Sequence, residues 1–151
     1  MFKSCYNLKE VALKNTNNKN SSSISMKSML SNCYSLKKIN LNKFEKKSAN
    51  KMDFMFNNCN NLISIKLSKF ETSKVKSISY SFSNCSSLTS LDISKINLNN
   101  VEDMGYAFRY CTSLSNVALR VDNAQMVDRV FKNCNSLKYI DLSEFNGNGI
   151  K

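Results

Sequence analysis

The sequence predicts a repeating α/β fold: a right-handed solenoid in which each unit of about 26 residues supplies one short helix and one short parallel β-strand. Two observations carry this. The cysteines stand at Cys5, Cys33, Cys59, Cys85, Cys111 and Cys134, separated by 28, 26, 26, 26 and 23 residues. Around them the apolar residues keep phase. Three before each stand Phe2, Leu30, Phe56, Phe82, Phe108 and Phe131; three after, Leu8, Leu36, Leu62, Leu88, Leu114 and Leu137; six after, Val11, Ile39, Ile65, Leu91, Val117 and Ile140.

The helix is expected upstream of each cysteine. Val75, Ile78, Phe82 and Cys85 are separated by three, four and three residues, and Val101, Met104, Phe108 and Cys111 repeat the spacing. Those intervals place four side chains on one face of a helix. Thr72, Ser73, Asn99 and Asn100 precede these stretches, where short oxygen-bearing side chains can cap free amides. Asn32, Asn58, Asn84 and Asn133 come just before their cysteines. Asparagine is the usual substitute for glycine in the left-handed residue that ends a helix, and the chain has only three glycines and no proline.

The strand is expected downstream. In "LTSLDIS", Leu91 and Ile93 alternate with Ser90, Asp92 and Ser94, the pattern of a strand with one buried face. A unit this short buries too little alone, so units must stack. Strands pack about 4.8 Å apart and helices about 10 Å apart, so the stack is expected to curve with its strands inside. The whole chain, residues 1–151, reads as one domain of about six units centred on the six cysteines. The first interval carries two extra residues within "NTNNKNSSSIS", and the last lacks three near "LRVDNAQM".

Stacking also bears on the cysteines, which could be disulfides, metal ligands, nucleophiles or packing residues. Equivalent side chains in successive units lie at least a strand spacing apart, whereas a disulfide needs Cβ atoms about 3.8 Å apart. Free, buried thiols serving as small apolar spacers are therefore favoured. No CxxC pair is present to chelate zinc, and the absence of histidine removes the usual general base and Ser–His or Cys–His pairs. An enzyme is not expected, nor a cofactor, a metal or a small-molecule substrate.

The net charge of +11 comes from 22 Lys+Arg against 11 Asp+Glu. Such a balance attracts polyanions. Only Arg109, Arg120 and Arg129 carry the guanidinium fork that suits phosphate, and the lysines are dispersed through an Asn-, Ser- and Ile-rich chain, which points to composition over a phosphate-binding face. The longest apolar runs are two or three residues, so there is no transmembrane segment and no signal-peptide core.

The stretch "MFNNCNNLISIKLSKFETSKVKSI", from Met55 to Ile78, resembles the 26-residue repeat of BspA-like leucine-rich-repeat surface proteins of bacteria. The resemblance spans essentially the whole chain and is strongest from Met52 to Leu119. It implies a leucine-rich-repeat-like solenoid at the cell surface or outside the cell, with repeats that mediate adhesion or other protein contacts. The strand aspartate of that family is kept as Asp92 and Asp141 and lost in the other units. Met1 falls in the phase of Met29 and Met55, so a fragment of a longer array is expected, with an exposed edge around Ile140.

The candidate site is the solvent face of the strands. One column comprises Glu10, Lys38, Ser64, Ser90, Asn116 and Tyr139; the next includes Asn40, Lys66, Asp92 and Asp141; and beside it run Lys14, Asn42, Ser68, Ser94, Arg120 and Ser143. A rigid solenoid presents such columns in register to a partner. The primary expectation is a non-enzymatic protein-binding or adhesion module whose partner is a host protein or another copy. The alternative is a basic scaffold for glycosaminoglycan, nucleic acid or anionic membrane.

Overall fold

A computed structural model describes residues 1–12, 23–41, 48–67, 71–93 and 96–142. The chain is a parallel β-solenoid, and among the described residues there is no helix. The expected α/β class is therefore corrected to all-β. The described residues form eight short strands: β1 (Glu10–Ala12), β2 (Ser23–Ser25), β3 (Lys38–Asn40), β4 (Ser48–Lys51), β5 (Ser64–Lys66), β6 (Ser90–Asp92), β7 (Asn116–Ala118) and β8 (Tyr139–Asp141).

The strands downstream of the cysteines pair in parallel with the repeat register: Val11 opposite Ile39, Ile39 opposite Ile65, Leu91 opposite Val117, and Val117 opposite Ile140. They form two three-stranded sheets, β1-β3-β5 and β6-β7-β8, so the ladder is interrupted between β5 and β6. A second face is made by β2 and β4, with single bridges from Ser77 to Asp103 and from Asp103 to Met126 continuing the column.

The segments expected to be helical are arcs of successive tight turns, and their amides show why. In the arc leading to Cys85, alternate amides donate to the next rung: Tyr80 to the Gly105 carbonyl at 3.0 Å, Phe82 to Ala107 at 2.9 Å, and Asn84 to Arg109 at 2.8 Å. The amides between them donate three residues back within the rung: Ser81 to Ile78, Ser83 to Tyr80, and Cys85 to Phe82. A helix would send each of these amides four residues back. Here each buried amide still finds an acceptor, as it must, but half of them bond across the stack.

Backbone torsions enforce the difference. Non-glycine residues with φ between 51° and 63° fall at two phases only: one residue before the cysteine (Ser4, Asn32, Asn58, Asn84, Tyr110, Asn133) and five before it (Ser28, Phe54, Tyr80, Tyr106, Arg129). Two left-handed residues in each arc from that of Cys33 onward exclude a continuous right-handed helix. The asparagines therefore take the left-handed conformation that their sequence suggested, at solenoid corners in place of helix ends. The residues expected as caps serve turns and rung-to-rung bonds instead. Thr72 Oγ1 donates to the Asn97 carbonyl at 2.6 Å, and Asn100 Nδ2 to the Ser73 carbonyl at 2.8 Å. Without helices, the mismatch expected to curve the stack has no source.

The core is a set of stacked columns. Phe56, Phe82, Phe108 and Phe131 lie ring on ring, with centroids 5.5, 5.2 and 5.3 Å apart and interplanar angles of 17° or less. Beside them Leu36, Leu62, Leu88 and Leu114 are fully buried. All six cysteines are free thiols, and Cys33, Cys59, Cys85 and Cys111 are buried. Each of these four, and Cys134, donates its thiol hydrogen to the backbone carbonyl of the residue three before the preceding cysteine: Cys59 to Leu30 at 3.1 Å, Cys85 to Phe56 at 3.3 Å, Cys111 to Phe82 at 3.0 Å. Burial raises these thiols, pushing Cys59 and Cys111 up to about 12 and Cys85 well above its ordinary value.

The corner asparagines also bond along the stack. Asn84 Nδ2 donates to Asn58 Oδ1 and Asn58 Nδ2 to Asn32 Oδ1, both at 2.8 Å. Such amide ladders suit stacked, in-register chains. Two requirements therefore meet at Asn58: φ of 61° and a two-sided amide. Asn58→Gly is expected to lose only the amide bonds, about 1–2 kcal/mol, and Asn58→Ala roughly 1 kcal/mol more for the left-handed backbone. Urea unfolding of both variants measures the gap, and equal losses would show that φ does not select asparagine there.

Candidate functional site

The strand face forms as two patches. Glu10, Lys38 and Ser64 stand in register on one sheet, with Asn40 beside Lys66; Ser90, Asn116 and Tyr139 stand in register on the other, with Asp92 and Asp141 in its second column. All of these are exposed except Asp141, which is half-buried; Arg120 is also exposed. Lys14, Asn42, Ser68, Ser94 and Ser143 lie outside the described residues. Because the ladder breaks between β5 and β6, the structure does not join the two patches into one continuous sheet. A small hollow of about 170 Å³ lies over Ser90, Asp92, Asn116 and Ala118, flanked by Tyr139, which is 59% exposed.

Sequence reasoning missed a second surface, on the corner five residues before each cysteine. Phe54, Tyr80 and Tyr106 occupy the left-handed positions of successive rungs, and because equivalent residues stack, their half-buried rings form an outer pile. Phe54 and Tyr80 have centroids 4.9 Å apart at 6°, and Tyr80 and Tyr106 are 4.8 Å apart at 9°. The readable signal was three aromatics at one phase in three consecutive units.

Arginine closes this pile. Arg129 occupies the equivalent position after Tyr106, with its guanidinium carbon 5.7 Å from the Tyr106 ring centroid and Nη1 donating to the Tyr106 hydroxyl at 3.0 Å. The Arg109 guanidinium lies 5.4 Å from the Tyr106 centroid and 4.6 Å from that of Tyr110, and Nη2 donates to the Tyr110 hydroxyl at 3.4 Å. Cations over aromatic faces are attracted by the ring quadrupole. Hydrogen bonding from Arg109 holds the Tyr110 phenol below its usual range, whereas a hydrogen bond with Asp128 raises that of Tyr106.

Next to the pile lies a cleft of about 600 Å³, lined by Ser79, Tyr80, Asp103, Gly105, Tyr106, Met126, Asp128 and Arg129. Asp103 shapes its floor. Its Oδ1 accepts the Gly105 amide at 2.8 Å, and a Cβ on Gly105 would stand 3.2 Å from that oxygen. With no helix, Asp103 braces a turn, and Glu102 pairs across rungs with Lys76 at 2.6 Å. Among the described residues no group of three or more His, Cys, Asp or Glu side chains could hold a metal ion.

Fold and surface together define a repeat protein of the parallel β-solenoid class, displaying columns of like side chains. The family model described as "Mycoplasma protein of unknown function, DUF285" matches residues 24–145, and the chain belongs to that family. A search of curated proteins finds no significant match. Among solved structures, the chain is similar to a leucine rich cell surface protein from Faecalibacterium prausnitzii A2-165, with 19% identity and a TM-score of 0.49 over 89% of this chain. The similar region spans 32% of that protein's chain.

Proposed function

We propose that this chain is a non-enzymatic interaction module of a bacterial surface repeat protein, and that it binds a partner protein through side chains displayed in register. The observation that carries this reading is the outer pile of Phe54, Tyr80 and Tyr106 with Arg109, Tyr110 and Arg129. Tyrosine and arginine dominate the energetics of protein interfaces, because each combines a large contact area with hydrogen bonding. A solenoid holds such residues on a rigid backbone, so little ordering entropy opposes binding. The surface location rests on the resemblance of the 26-residue unit to bacterial surface repeats.

Two measurements test the reading. An antibody against the chain is expected to label intact, unpermeabilised cells of the source bacterium; labelling only after permeabilisation would overturn the surface location. The purified chain is expected to bind host-cell monolayers saturably, and Tyr80→Ala with Tyr106→Ala to weaken that binding at least tenfold, or about 1.4 kcal/mol. Binding indifferent to these changes but falling steeply with added salt would instead identify a polyanion scaffold.

A further inference from the structure

A repeat protein carries its own internal controls, and the copies show where the pattern is broken. One residue before the cysteine, the chain places serine or asparagine in every unit except that of Cys111, which has Tyr110. Two before, the central units have Ser31, Asn57 and Ser83, and the Cys111 unit has Arg109. Five before, aromatics give way to Arg129. Eight before, Ser77 and Asp103 are followed by Met126, which is 55% exposed. These departures converge on one end of the outer pile. Tyr110 also departs at a conformational cost: a bulky residue held at φ of 60° is strained, where asparagine in the equivalent positions is not.

Two of the chain's three arginines lie against the same tyrosine. Arg109 Nε is buried and without a hydrogen-bond partner. Contacts with the Tyr106 and Tyr110 rings hold both guanidinium groups beside one corner of the solenoid, and an arginine fork matches a carboxylate edge-on. Arg129 lines the cleft with Asp103 and Asp128, and its Nε already meets a carboxylate, Asp128 Oδ1 at 3.6 Å, in a pair that is more than half exposed. The two aspartates would repel a continuous run of phosphates or sulfates, and an ion pair so exposed is weak enough for a partner's carboxylate to exchange with Asp128 at the fork.

From these observations we infer that Arg109 and Arg129, held on Tyr106 and Tyr110, form a carboxylate clamp for an acidic segment of a partner protein, with Met126 receiving an adjacent apolar side chain. This rests on the interaction reading above and specifies the chemistry of its partner. The clamp supplies orientation through bidentate bonds; Met126 and the ring edges supply apolar contact.

The test uses the 151-residue chain and a capped peptide, acetyl-Glu-Leu-Glu-Phe-Glu-amide, with its Gln-for-Glu counterpart and heparin as comparisons. The acidic peptide should bind saturably and shift the side-chain NMR signals of Arg109 and Arg129, and the Gln peptide should not. The Arg109→Lys, Arg129→Lys variant keeps the net charge and removes the forks. It should weaken the peptide at least tenfold while leaving the melting curve and heparin binding unchanged. No saturable peptide binding, equal affinity in the lysine variant, or parallel loss of heparin binding would each overturn the clamp. Host-cell binding separates the two levels. If the tyrosine variants lose it and the lysine variant keeps it, the clamp is wrong and the interaction surface stands; if the tyrosine variants keep it, that surface falls as well.

Discussion

Phe82→Ala is expected to cost about 3–5 kcal/mol, the range for emptying a buried aromatic site, and the loss of two ring stacks lies within that cost. Phe82 is 1% exposed and lies between Phe56 and Phe108, so neither neighbour can collapse into the void without leaving its own partner. Domains of this size are stable by roughly 5–15 kcal/mol in total, so the change consumes a large share. The same substitution at Phe131, which is only half-buried and stacks on one side, should cost less than half as much. Urea unfolding of the two variants makes the comparison. Equal losses would mean that the phenylalanine column is not the continuous core described above.

Alkaline pH is expected to destabilise the fold steeply, through the cysteines. In the unfolded chain a thiol titrates near 9; in the fold, burial pushes Cys59 and Cys111 up to about 12 and raises Cys85 well above its ordinary value. Between those values the unfolded state has released protons that the native state still holds, so stability falls as pH rises. The loss accumulates at about 1.4 kcal/mol per thiol for each pH unit above 9, or roughly 3 kcal/mol from Cys59 and Cys111 together at pH 10. Well below pH 9 the thiols are protonated in both states and contribute no slope. Denaturant unfolding at pH 8 and pH 10, compared between the unaltered chain and a Cys59→Ala, Cys111→Ala variant, isolates the effect from lysine and tyrosine titration. Parallel pH profiles would show that these thiols are not the source.

Much of the architecture was legible in the sequence because stacking imposes its own arithmetic. The cysteine spacing aligned Val11 with Ile39 and Ile65, and Leu91 with Val117 and Ile140, and these are the pairs that the strands make. The arcs misled for a definite reason. A spacing of three, four and three at Val75, Ile78, Phe82 and Cys85 satisfies a helix, but it equally satisfies a run of turns that brings about every third residue inward. The two differ in where alternate amides go, which apolar spacing does not record. The asparagines did record it, since Asn58 and Asn84 mark left-handed corners, yet a corner and a helix end ask for the same residue.

The site was less legible than the fold. The strand face was chosen from alternation, which identifies exposed positions but says nothing about which of them gather. Phe54, Tyr80 and Tyr106 escaped notice because bulky aromatics are unexpected at left-handed positions, and the helical reading did not place them together. Arg109 and Arg129 lie 20 residues apart, and it is the stacking of equivalent positions in successive rungs that brings Arg129 to the tyrosine beside Arg109.

The interruption between β5 and β6 has a mechanical consequence. On the opposite wall the Phe54, Phe56 and Asn58 amides bond without a gap to the Ser79, Ser81 and Ser83 carbonyls. On the strand side the link is sparser, with the Ser87 amide still donating to the Asn60 carbonyl at 3.0 Å, so the rod is expected to flex about that seam more readily than it stretches along its axis. The two halves of the molecule are expected to tilt like the boards of a bound book, with the aromatic pile running along the spine.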